Sequence, residues 1–146
     1  MIIHPKIGID QLVFGMKQKD VEKIYGVPDK KFTDEDQNII CIYNNQKFRL
    51  TFYEDEAFKL GYIISSNPGL TLFSEKIIAE PISKIQELLK AKNFKPLEIE
   101  NFDTVDNYFN ESNWMIFQVE YNQVIRLELG AVFNEKEDEF DWKFKS

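Results

Sequence analysis

A chain of 146 residues, 43% of them hydrophobic, is long enough to bury one core, and no window approaches the roughly 20 apolar residues of a membrane span. Its formal net charge of −7 removes the basic footprint expected of a nucleic-acid binder. One cysteine and one histidine exclude an intrachain disulfide and a four-ligand zinc site made from those residue types.

The N-terminal stretch "MIIHPKIGIDQLVFG" lacks a basic region followed by a long apolar run, so a secretory signal is not expected there. The first helix is predicted from about Lys17 to Tyr25. Met16, Val21, Ile24 and Tyr25 recur at helical spacing, and Asp20 suits the positive end of the helix dipole. Gly26 and Pro28 end it.

Three alternating runs follow. "NIICIYN" turns at Asn44-Asn45; "KFRLTFY" places Phe48, Leu50 and Phe52 on one face and Arg49, Thr51 and Tyr53 on the other; "FKLGYIIS" is the third. "EDEA" reads as a turn and "SSNPGL" as a loop broken at Pro68-Gly69. "TLFSEKIIAEP" reads as a short strand or a helical turn.

A second helix is predicted in "PISKIQELLKAKNF", with Ile82, Ile85, Leu88 and Leu89 on one face and Pro81 at its start. "KPLEIENFDTVDNYFNES" holds a weak strand or two. "NWMIFQVEY" alternates Met115, Phe117, Val119 and Tyr121 against Trp114, Ile116, Gln118 and Glu120. "VIRLELGAVF" then places Ile125, Leu127 and Leu129 inward.

Helix then three strands thus occurs twice, at an offset of about 64 to 69 residues. The expected fold is α+β. Tandem helix plus three-strand antiparallel meander repeats, about 7–66 and 78–133, form one sheet in a single domain with the helices packed on one face. An aromatic tail, 134–146, either adds an edge strand or lies over the sheet.

The pattern Gly15-Met16, four residues, Val21, then Tyr25-Gly26-Val27-Pro28 resembles the helical start of the SmpA/OmlA-type lipoprotein domain. In tandem, the unit is similar to the β-lactamase-inhibitor-protein-like fold. The resemblance implies a small bacterial protein that binds other proteins.

Catalytic motifs are missing. No glycine-rich phosphate loop is present. His4 stands near the start, and Cys41 reads as a buried small hydrophobe in a reducing, cytoplasmic setting. "DEDQN" imitates a calcium loop at Asp34, Asp36 and Asn38, but Ile39 and Asn45 stand where the turn glycine and bidentate glutamate belong. The sequon at Asn110 has no meaning in a cytosol. No enzyme activity, cofactor, metal, nucleic acid or membrane partner is therefore expected.

The outward face of the sheet carries the functional expectation. It should present Arg49, Thr51, Tyr53, Trp114, Ile116, Gln118, Glu120, Arg126 and Glu128, bordered by Glu54 and Asp55. Trp, Tyr and Arg are the residues that dominate protein-binding surfaces. An acidic rim, Asp34 to Asp36 and Glu54 to Glu56, would meet a basic partner. The favoured reading is an immunity or inhibitor protein that covers the basic active-site surface of a bacterial toxin, such as a nuclease. Self-association through the open face or the C-terminal tail, a structural or lipoprotein-like role, and small-molecule binding between sheet and helices are the alternatives.

Overall fold

The structure, a computed structural model, describes residues 1–145; Ser146, the last residue of the expected tail, lies outside them. The chain opens with three two-residue strands, β1 Ile3–His4, β2 Gly8–Ile9 and β3 Leu12–Val13, which pair as a small antiparallel sheet. Helix α1, Gln18–Tyr25, follows. Four strands come next: β4 Lys30–Thr33, β5 Ile39–Tyr43, β6 Phe48–Tyr53 and β7 Lys59–Ser65. A short hairpin, β8 Thr71–Leu72 with β9 Glu75–Lys76, leads to helix α2, Ile82–Ala91. Four more strands are β10 Glu98–Phe102, β11 Val105–Asn110, β12 Met115–Glu120 and β13 Gln123–Gly130. The tail forms a last hairpin, β14 Phe133–Asn134 with β15 Glu139–Phe140.

The expected fold needs correction. The molecule is mostly β, 43% strand against 14% helix, with two helices and one large sheet of eight strands. It is not a helix-plus-three-strand repeat. The order β10-β11-β12-β13-β7-β6-β5-β4 is antiparallel throughout, with β7 and β13 side by side at the centre. The strand overlooked before "NIICIYN" is β4. Of its four residues only Phe32 is even partly covered, so an edge strand left no period-2 apolar signal to read. The two-residue strands are too short to show any period.

One face of the sheet meets both helices and the N-terminal strands. Phe48, Leu50, Phe52, Phe117, Leu127 and Leu129 share a core with Val21, Ile85, Leu89, Leu12 and Phe14. Each large side chain fully buried there contributes about 1.5–3 kcal/mol. In α1 the buried anchor is Val21, while Ile24 and Tyr25 lie half-buried against the core. Lys17 caps nothing with its side chain; instead the Asp20 carboxylate accepts the Lys17 backbone N–H at 2.9 Å. Gly26 ends the helix at φ 81°, a left-handed conformation that favours glycine.

Two irregularities change which side chains face out. Val119 pairs with Val124 and Gln118 with Arg126, which leaves Ile125 as the extra residue of a bulge. The phase therefore shifts. Val124 is buried, and Ile125, expected inward, is exposed. Tyr121, also expected inward, sits in the turn at φ 49° and is 86% exposed. The second bulge skips Gly61 between the pairs Thr51–Tyr62 and Phe52–Leu60.

Candidate functional site

The predicted strand residues are arranged across one sheet, and Glu54 and Asp55 lie in the 3-10 turn that follows β6. Register across the sheet places Ile116 opposite Glu128, Glu128 opposite Ile64, and Ile64 opposite Arg49. Gln118 faces Arg126, and Thr51 faces Tyr62. This outer face also holds Ile40, which is only 1% exposed yet lies outside the main core. The face is therefore a second, thinner apolar layer with polar groups set into it.

Two glycines shape that layer. A Cβ on Gly61 would fall 2.0 Å from Cε2 of Tyr53, and one on Gly130 would fall 2.3 Å from Cδ1 of Trp114. Both aromatic rings thus lie down on bare backbone of the central strands. Trp114, expected as an uncovered hot spot, packs edge-on to Phe109 at 5.1 Å and is 38% exposed. Tyr62 stands between the two rings and donates its hydroxyl to Oε1 of Glu128 at 2.7 Å. Burial first, then that carboxylate, raises the Tyr62 phenol well above its ordinary range.

The tail lies over one end of this face, the second of the two placements considered for it. Phe140 packs on Tyr53 at 5.6 Å and on Trp142 at 5.0 Å, and Lys59 sits over the Trp142 ring at 5.4 Å. Asp36, Asn38, Tyr53, Asp55, Glu56 and Phe140 line an open hollow of about 490 Å³. Its floor is aromatic and its walls are acidic. The Asp34 carboxylate holds the wall in place by accepting the N–H groups of Asp36 and Asn38 at 2.9 and 3.0 Å. Asn38 then accepts the Glu54 N–H at 3.0 Å, joining the β4–β5 turn to the 3-10 turn Glu54–Glu56. Hydrogen bonding and repulsion from neighbouring Asp55 hold the exposed Glu54 carboxyl above its ordinary pKa. Burial pushes the Tyr53 phenol up to about 12.

At the other end of β6, about 13 Å away by strand rise, the character reverses. Lys47, Arg49, Arg126, Ser66, Ile42 and Ile64 are among the residues lining a groove of about 400 Å³. The predicted list thus divides into two neighbourhoods. Tyr53 and Asp55 sit at the acidic end with Glu54 beside them, and Arg49 and Arg126 at the basic end. Thr51, Glu128, Trp114, Ile116 and Gln118 lie between them or toward β10, and Glu120 at the far end of β12.

Phe140, Asn38, Tyr62 and Phe109 were absent from the predicted site. The alternation of β7 puts Tyr62 opposite Thr51 and was enough to find it. A glycine inside a strand is a sign of close approach, and Gly61 carried that sign for Tyr53. Phe140 arrives through the tail, and nothing local announced it.

The other sequence candidates have structural duties. Cys41 is 3% exposed in the core, and burial raises its thiol pKa. Asn110 is 4% exposed, and its side-chain oxygen accepts the Asn113 N–H at 3.0 Å. Among the described residues, no three His, Cys, Asp and Glu side chains converge as a metal-binding set, and no helix is long and apolar enough to cross a membrane.

The fold has counterparts among solved structures. A crystal structure of a cysteine-rich secretory protein from Staphylococcus aureus matches over 87% of this chain and 48% of its own, with a TM-score of 0.52 and 11% identity. A crystal structure of an extracellular protein containing an SCP domain, from Bacillus anthracis, matches over 80% of this chain and 43% of its own, with a TM-score of 0.50 and 10% identity. The present chain spans less than half the length of either, so the likeness is one of fold over part of each protein. No protein-family model and no curated protein matches the sequence.

Proposed function

We propose that this chain is a non-catalytic protein-binding module whose outer sheet face receives a basic protein. The acidic, aromatic-floored hollow at Asp36, Tyr53, Asp55, Glu56 and Phe140 carries this reading. An apolar floor with carboxylate walls suits a Lys or Arg side chain, whose stem packs on the rings while its head meets the acids. The net charge of −7 steers such a partner inward. A toxin domain with a basic active-site surface fits that partner, which makes the chain an immunity or inhibitor protein. The free, buried Cys41 suits a reducing compartment such as the cytoplasm.

The test begins with capture from a bacterial lysate containing the products of neighbouring genes, using wild type and an Asp36→Asn/Asp55→Asn/Glu56→Gln variant. The captured protein is then purified and its affinity measured at two salt concentrations. The expected result is one stoichiometric basic partner, bound at least tenfold more weakly by the variant and more weakly at high salt. Equal binding by the variant, or no stoichiometric partner, overturns the reading.

A second reading has its own observation. Strand β10 is an exposed edge bearing Ile99, 51% exposed, and Phe102, 53% exposed. Such an edge can pair with a second copy. A dimer seen by light scattering and abolished by Ile99→Lys would favour self-association.

A further inference from the structure

The 18 basic residues of the chain are 16 lysines and two arginines. Those two arginines, Arg49 and Arg126, come from different strands and stand 77 positions apart, yet both line the groove at the basic end of the outer face. In a protein of net charge −7 this is the reverse of the surrounding field.

Neither arginine is neutralised. Among the described residues, the ion pairs within 4 Å are Lys84 with Glu75 and Glu80, and Lys143 with Asp141; Lys47, Arg49 and Arg126 belong to none. Glu128, two residues from Arg126, instead accepts the Tyr62 hydroxyl. Arg49 rests its guanidinium 5.8 Å from the centre of the Phe32 ring. The Nε of Arg126 is buried and has no hydrogen-bond partner among the described residues. A buried donor without a partner destabilises the free protein and calls for an explanation.

The chemistry of the walls favours an anion. Guanidinium groups offer planar forks that match a carboxylate, where lysine offers a point charge. Ser66 adds a hydroxyl, and Ile42 and Ile64 flank the charged groups with hydrocarbon. We propose that this groove is a binding site for a carboxylate carried on an apolar group, with the head between Arg49 and Arg126 and the body against Ile42 and Ile64. Free small carboxylic acids and the C-terminus of a peptide ending in an apolar residue share this chemistry. The site is separate from the acidic hollow, so it stands or falls independently of the partner proposed for that hollow.

The experiment is a heteronuclear NMR titration of the whole chain with N-acetyl-leucine, N-acetyl-leucinamide, inorganic phosphate and a pentapeptide ending in free leucine. The expected result is saturable shifts at Ile42, Arg49, Ile64 and Arg126 with N-acetyl-leucine, and at least tenfold weaker binding of the amide and of phosphate. Arg126→Gln and Arg49→Gln should each weaken N-acetyl-leucine at least tenfold, with a cooperative thermal transition retained to confirm folding. Lys47→Gln, in an exposed turn, provides a second variant that keeps the strands intact and should weaken it severalfold. Tighter binding of the pentapeptide assigns the site to a chain terminus, and equal binding assigns it to a small acid; both support the site. Absence of saturable binding, an amide or phosphate bound as well as the acid, or arginine variants that bind like wild type would each overturn it.

Discussion

The two ends of the outer face differ in how their charged side chains are held. The acidic hollow is braced: Asp34 pins its turn, Asn38 ties that turn to the next, and Tyr53 is clamped between Gly61 and Phe140. At the basic groove the flanking turns are tied too, with the Asn44 N–H on the Asp29 carboxylate and the Asn67 amide on the Gln46 carbonyl, but its arginines make no ion pair among the described residues and one buried Nε is left without a partner there. A braced acidic site is organised before its ligand arrives, so little ordering opposes binding. At the basic end, arginine donors wait for an acceptor from outside.

Beneath both ends runs one core, and this is where the comparison can be broken most forcefully. Phe48 lies under the basic end and Phe52 under the acidic end, both essentially unexposed. Phe48→Ala and Phe52→Ala should each lower stability by about 3–5 kcal/mol in a single cooperative denaturant transition. Two separate transitions would show that the ends do not share a folding unit. Gly61→Val should lower stability by about 1–3 kcal/mol through overpacking against Tyr53. It should abolish binding at the acidic hollow while leaving N-acetyl-leucine binding intact.

Each end also contains a phenol kept neutral. Tyr43, beside the groove, donates its hydroxyl to the Gly26 carbonyl at 2.8 Å, and burial pushes it up to about 12, as burial does Tyr53. An unfolded tyrosine ionises near about 10. The stability these two groups contribute is therefore full below pH about 10 and lost as pH rises through about 12. Alkaline denaturation should show this decline, and Tyr53→Phe should make it shallower. Asp34→Ala should lower stability by about 1 kcal/mol, read from the urea midpoint. Arg49→Gln should lower stability by no more than about 1 kcal/mol, since only its contact with the Phe32 ring is lost. Arg126→Gln should leave stability unchanged or raise it, since a buried donor without a partner is removed. A larger fall would mean that the arginines serve the fold rather than a ligand.

The same contrast explains what could be read in advance. The acidic rim is local: Asp34 to Asp36 and Glu54 to Glu56 are two short runs, visible in the sequence. Both helices and the strands with clean alternation, such as Phe48-Leu50-Phe52, were equally legible because their signal lies within ten residues. The edge strand at Lys30 carried no alternation, and one inserted residue at Ile125 reversed the phase that had placed it inside. The convergence of Arg49 with Arg126 depends on β7 and β13 meeting at the centre of the sheet, a pairing that no local pattern encodes. Phe140 closes the acidic hollow from a tail whose placement depends on partners such as the Phe14 carbonyl, which accepts the Phe144 N–H at 3.0 Å.

Cys41 gives this architecture a built-in clock. It is the sole thiol, it is sealed in the core on β5, and burial keeps it protonated. A thiol reagent can reach it only when that part of the sheet opens, so the rate of labelling times the opening events of the native protein one molecule at a time. Because β5 runs from the acidic hollow to the basic groove, a ligand held at either end should slow that clock, and the degree of slowing reports how far each end steadies the strand they share.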